Sequence, residues 1–160
     1  MNAKEFDSLI KKDKYQIFIF TSLCSIPLSF ARHPWFIVNK KGAISRWEVL
    51  FRKHLSGTNW GHLHKDSAPS LRGIEIIPYL GMFYWSETLL ATIEGAENST
   101  AEKMIELIEN SPKNYPYCND YSLVGANSDT YAQWILDHFP ELNIKLPWNC
   151  FGKNFKRRIT

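Results

Sequence analysis

The segment Tyr121 to Leu136, YSLVGANSDTYAQWIL, changes character at its midpoint, from loop or short strand to helical spacing. Asn127 is a strong candidate for the capping residue of that helix. Ser128 then falls in the first turn, where unpaired backbone N–H groups and the helix dipole favour negative charge. A nucleophile placed there has its anion stabilised, and neighbouring N–H groups can hold an oxyanion. Thiol hydrolases place a cysteine at helix starts for this reason. A serine needs more: a base within hydrogen-bond reach. The candidate base is His33, with Glu48 on a neighbouring strand to orient it. Asn127, Asp129 and Trp35 are candidate binding residues beside this pair. Asp129 suits the helix dipole but opposes an anion on Ser128. The plainer alternative is that Asn-Ser-Asp is capping chemistry alone and His33 a structural hydrogen-bonder.

Other reactive types are poorly arranged. His62-x-His64 would share one face of a strand, with His54 nearby, but no acidic or thiol ligand follows at a familiar metal spacing. No metal and no cofactor is expected. The three cysteines, Cys24, Cys118 and Cys150, form no CxxC pair, and an odd count fits reduced thiols in a cytoplasmic protein. Cys24 is an alternative nucleophile near His33, but its apolar neighbours Leu23 and Ile26 would raise a thiol pKa.

Charge narrows the partners. A net charge of +3 is too weak to argue for nucleic acid. Basic residues gather late, as Lys153, Lys156, Arg157 and Arg158 around Phe155, which reads as a solvated tail or a phosphate or lipid-headgroup contact. The opening MNAKEFDSLIKKDKYQ has no apolar core of the signal type. Ile17 to Phe30 is too short and too polar to be a transmembrane segment.

The elements that must position these residues follow from periodicity. The 160 residues suit a single domain, 1–160. Tyr15 to Leu23 reads as a strand covered on both faces, because Ile17-Phe18-Ile19-Phe20 is continuously apolar. Trp35 to Asn39 and Ile44 to Arg52 read as a hairpin around Lys41-Gly42. Ile74 to Ile77 and Trp85 to Glu94 are further strand candidates. Phe6 to Lys12, Ala101 to Asn110 and Ser128 to Phe139 have helical spacing, with Pro112 and Pro140 as stops. His54 to Arg72 reads as a long irregular loop, and a loop of that length is often functional. The expected fold is α+β, a mostly antiparallel sheet of about five or six strands packed against two main helices.

Four blocks add a resemblance. His33-Pro34-Trp35, Arg46-Trp47-Glu48, Gly125-Ala126-Asn127-Ser128-Asp129-Thr130-Tyr131 and Leu146-Pro147…Gly152-Lys153-Asn154-Phe155 stand in that order. They resemble an uncharacterised bacterial family, the domain of unknown function 3750. Its blocks run His-x-Trp, Arg-aromatic-Glu, Gly-Pro-Asn-Ser-Asn-Thr-Phe and Leu-Pro…Gly-Lys-Asp-Tyr. Ala126 and Asn154 depart from it. The family implies no activity. More distantly, the order of His33-x-Trp35 and Asn127-Ser128 is similar to that of circularly permuted papain-like hydrolases of the NlpC/P60 group, in which a His opens an early strand and an Asn-Cys pair opens a late helix. Here Ser128 stands in the cysteine position, and a serine alkoxide is far harder to form than a thiolate.

Two functions stand side by side on this reading. One is an amide or ester hydrolase or acyltransferase with a Ser128/His33 site. The other is an inactive binding module that holds a small molecule, peptide or lipid in its groove.

Overall fold

The computed structural model describes residues 1–155, so Lys156, Arg157 and Arg158 of the basic tail lie outside the described residues. Five antiparallel strands form one sheet in the order β4-β3-β2-β1-β5. They are β1 (Tyr15–Leu23), β2 (Arg32–Lys40), β3 (Ala43–Ser56), β4 (Asn59–Lys65) and β5 (Thr88–Gly95). Three helices accompany them: α1 (Ala3–Leu9), α2 (Thr100–Asn114) and α3 (Ser128–Asp137).

The β1 run is apolar because both of its faces are covered. Ile17 and Ile19 join Phe36, Val38, Trp47, Val49 and Leu63 in a core closed by Met104, Ile105 and Ile108 of α2 and by Tyr131 and Ile135 of α3. Phe18 and Phe20 point the other way and pack with Trp35 and Ile37. That second face is covered by α1 and by the segment that follows β4. With seven residues α1 is too short to persist alone. Phe6 anchors it, edge-on to Phe18 at 5.0 Å and to Phe20 at 5.9 Å.

The β2–β3 hairpin turns through Lys41 (φ 51°) and Gly42 (φ 96°), both left-handed, as a two-residue turn of matching twist requires. Several boundaries differ from the sequence reading. Helix α1 begins earlier than Phe6, because Asn2 and Glu5 form a reciprocal cap. Helix α2 runs through Pro112 instead of stopping there. Ile108 O, which a proline N cannot reach, accepts from Ser111 Oγ at 2.6 Å. Helix α3 ends at Asp137, and Pro140–Leu142 form a short 3-10 turn, as do Phe151–Asn154.

The expected loop from His54 to Arg72 is strand in its first part, where the end of β3 and all of β4 lie, and irregular, as expected, from Asp66 to Arg72. His62 and His64 are buried or half-buried and bonded to the chain. His62 Nδ1 pairs with Leu50 O at 2.9 Å, and His64 Nε2 with Arg52 O at 2.9 Å, while His64 Nδ1 pairs with Asn59. The irregular segment comes later, between β4 and β5. Ile74 to Ile77 contributes one antiparallel bridge, Glu75 to Tyr84, rather than a strand. Among the described residues, no helix is long and apolar enough to cross a membrane.

Candidate functional site

Strand alternation sorts the candidate residues. On β2, His33, Trp35 and Ile37 share a face; on β3, Arg46 and Glu48 share the same one, since Ile37 pairs with Arg46 in the ladder. Trp47 points the opposite way, into the core beneath the two main helices. The segment after β4 therefore closes over a row of polar groups rather than over hydrocarbon alone.

Glu48 is the centre of that row. His33 Nε2 lies 2.9 Å from Glu48 Oε2, and Arg46 Nη2 donates to the same oxygen at 2.8 Å. Ser67 Oγ donates to Oε1 at 3.1 Å. Arg46 Nε stands 2.8 Å from Oε1, off the line of its N–H, as an ion-pair contact. Burial pushes the Glu48 carboxyl up, but the Arg46 charge and the His33 hydrogen bond outweigh it and hold the group at about 2. Glu48 is thus a fixed anion. An ionised carboxylate only accepts, so His33 Nε2 carries a proton toward Glu48.

Arg46 also fastens the covering segment. Its Nη1 donates to Pro69 O at 2.8 Å and to Arg72 O at 2.5 Å, and its guanidinium lies 4.4 Å from the Trp35 ring centre. Trp35 Nε1 donates to Ser70 O at 3.0 Å. Both Arg46 and Trp35 are fully buried. In the sequence Arg46 stands only in the Arg46-Trp47-Glu48 block with no role of its own; the signal for one is that opposite charges two apart in a strand point to one face and can pair there.

A cleft of about 320 Å³ opens above this network. Arg46, Glu48 and Ser67 are part of its lining; Arg52, Arg72 and Tyr84 form the exposed side. The Arg72 guanidinium sits 4.9 Å from the Tyr84 ring centre. Glu75, the other acid in the wall, accepts from Tyr79 N at 3.1 Å and from Gly81 N.

The second group of candidates gathers at the start of α3. Asn127 caps it, its Oδ1 accepting from Asp129 N at 3.0 Å and Thr130 N at 3.3 Å. Thr130 Oγ1 donates to Gly152 O at 2.8 Å, and Asp129 Oδ2 accepts from Gly152 N at 3.1 Å. Asp129 Oδ1 is buried and, among the described residues, has no hydrogen bond of ordinary geometry, although the Cys150 thiol lies beside the carboxyl. Burial raises the Asp129 carboxyl to about 6; Gly152 N–H, the nearby His33 and Cys150 oppose the rise. Ser128 is only 5% exposed. Among the described residues no hydrogen bond joins its hydroxyl to His33. The structure therefore brings His33, Trp35 and Glu48 together, and separately Asn127, Ser128 and Asp129. The link between the groups is electrostatic, from Asp129 to His33.

Cys24 lies near Asp129 too, and burial lifts its thiol to about 12, so it is no ready thiolate. Among the described residues no cluster of three or more His, Cys, Asp or Glu is arranged to hold a metal ion.

These features define an α+β domain: an antiparallel sheet with two helices on one face and a buried Glu48-centred network under a cleft on the other. The chain belongs to the family described as protein of unknown function (DUF3750), whose model matches residues 15–155, from the start of β1 to the end of the last 3-10 turn. It matches no curated protein and no solved structure.

Proposed function

We propose that this chain is a binding domain that seats an anionic group, a phosphate or a carboxylate, between Arg52 and Arg72. One observation carries the reading: the cleft presents two exposed guanidiniums, while both of its acids are already engaged. Glu48 is neutralised by Arg46, and Glu75 is bonded within its own turn. The remaining charge is positive, and Tyr84 gives one arginine an aromatic backing. Titration with inorganic phosphate, followed by amide and guanidinium NMR shifts, tests it. Shifts should map to the cleft and vanish in the Arg52→Gln, Arg72→Gln double variant. Shifts confined to the start of α3, or none, sink the proposal.

A second reading is an amide or ester hydrolase or acyltransferase of permuted papain-like type. Its support is the Glu48–His33 hydrogen bond, which holds the ring in one orientation with Nδ1 on its far side. Ser128 would attack once its hydroxyl reached that nitrogen. Covalent labelling by a fluorophosphonate, lost in both Ser128→Ala and His33→Ala, would favour this reading. Labelling that persists in Ser128→Ala would remove it.

A further inference from the structure

The segment between β4 and β5 carries an apolar tip. Ile77 (49% exposed), Tyr79 (85%), Leu80 (46%), Met82 (67%) and Phe83 (56%) stand in water within seven positions of one another. Phe51 of β3, 55% exposed, meets Tyr79 edge-on at 6.5 Å and widens the patch. Scattered apolar residues on a surface are ordinary, but a contiguous projecting group of this kind marks an interaction site.

The tip is a built structure. Ile76 N donates to Phe83 O at 2.8 Å, and Trp85 N to Ile74 O at 2.9 Å. The Glu75 side chain closes the turn from inside by accepting from Tyr79 N and Gly81 N. Tyr79 (φ 67°) and Gly81 (φ 71°) both take left-handed conformations that fold the turn back. The base is tied to β1 through Ile74 N, which donates to Ser22 Oγ at 3.0 Å. So the apolar side chains are held outward and stay largely exposed among the described residues.

We infer that this tip inserts into the surface of an anionic lipid bilayer, with Arg52 and Arg72 meeting headgroups beside it. Three features favour lipid over a protein groove. The apolar group is strongly exposed, and a turn carrying aromatic, Met and Leu side chains suits the interfacial zone of a bilayer. Tyr79 lines the same cleft as Arg52 and Arg72, so cations lie at the depth where lipid phosphates would sit. The acid closest to the tip, Glu75, is turned inward on its own turn, where its oxygens accept from Tyr79 N and Gly81 N. The inference rests on the anion-binding reading for the headgroup contact; insertion of the tip stands on its own.

Vesicle co-sedimentation tests it, with full-length chain and two lipid mixtures: phosphatidylcholine alone, and phosphatidylcholine with about 30% phosphatidylglycerol. The native chain should pellet with the anionic vesicles, and less so as salt is raised. The Met82→Glu, Phe83→Glu double variant should lose at least about tenfold in vesicle affinity yet keep its phosphate-induced NMR shifts. The Arg52→Gln, Arg72→Gln variant should lose the phosphate shifts and the preference for anionic lipid. A native chain that shows phosphate shifts but ignores vesicles overturns the lipid inference and leaves the cleft reading in place. Vesicle binding lost in the tip variant, without any phosphate shift in the native chain, supports insertion and removes the cleft reading. A dimer in sedimentation velocity that dissociates in the tip variant, with no vesicle binding, assigns the tip to self-association and overturns the inference.

Discussion

Gly152 lies against the cap of α3, so close that a β-carbon built on it would fall 2.0 Å from Asn127 Oδ1. That oxygen is the acceptor for two N–H groups of the helix, at Asp129 and Thr130. The late 3-10 turn and the helix start are therefore one interlocked unit. Gly152→Ala is expected to push the cap aside and destabilise the fold by about 1–3 kcal/mol. Gly57→Ala, where nothing lies within 4 Å, is the control. It should change stability by no more than about 0.5 kcal/mol. Urea unfolding midpoints of the two variants provide the comparison.

Glu48→Ala should be among the most damaging single changes in the domain. It removes the partner of a buried guanidinium and leaves that charge uncompensated, a loss of about 3–5 kcal/mol. The native pH profile should carry the same signature. The folded carboxyl sits at about 2, below its ordinary 4.5, so its contribution is complete above 4.5 and is lost as pH falls from there toward about 2. Acid unfolding monitored by Trp fluorescence checks the window.

Asp129 works in the opposite sense. Its folded carboxyl is raised from 3.8 to about 6, so the fold prefers the neutral acid. The Asp129 contribution to stability is full below 3.8, declines as pH climbs toward about 6, and levels off above it. Asp129→Asn should abolish this decline and raise stability at pH 7.5 by on the order of 1–3 kcal/mol. A variant that is no more stable than the native chain at pH 7.5, while equal to it at pH 4, would contradict the burial argument.

Ser111 and Pro112 should prove coupled. Ser111 Oγ supplies Ile108 O with the donor that the proline lacks, and it also meets Tyr131 OH at 2.9 Å. Ser111→Ala alone should destabilise by about 1–3 kcal/mol, because a buried carbonyl loses its partner. In a Pro112→Ala background a backbone N–H can take over, and the same serine change should be milder. A double-mutant cycle measures the difference; strict additivity would show that the two residues act independently.

The parts of this fold written in local pattern were legible. Ile17 to Phe20 announced a doubly covered strand, Lys41-Gly42 a tight hairpin, and Asn127 the start of its helix. What escaped reading depends on partners far away in the chain. Strand β4, NWGHLHK, looks like loop because it carries a glycine and two histidines. Gly61 is needed there because a β-carbon would strike Cys118 O, and both histidines bond to β3 carbonyls. The pairing of Glu48 with Arg46 is likewise invisible as a hydrophobic pattern, since burial of like-sized charges leaves no periodic apolar signal. At the candidate site, His33 and Glu48 are hydrogen-bonded neighbours, while Asp129 at the start of α3 interacts with His33 electrostatically and, among the described residues, no hydrogen bond joins Ser128 to His33. Sequence order alone does not distinguish contact from proximity.

The strand order has a consequence for how the chain is made. Strand β1 gains one neighbour, β2, as soon as the next hairpin arm emerges, but its other edge waits for Thr88–Gly95. Until then the most apolar strand of the domain leaves the ribosome with a bare row of amide and carbonyl groups along one side, the kind of edge that recruits chaperones or other strands. Stalled nascent chains ending before Thr88 are expected to be cut by protease across β1, whereas chains extended beyond Asn154 should resist.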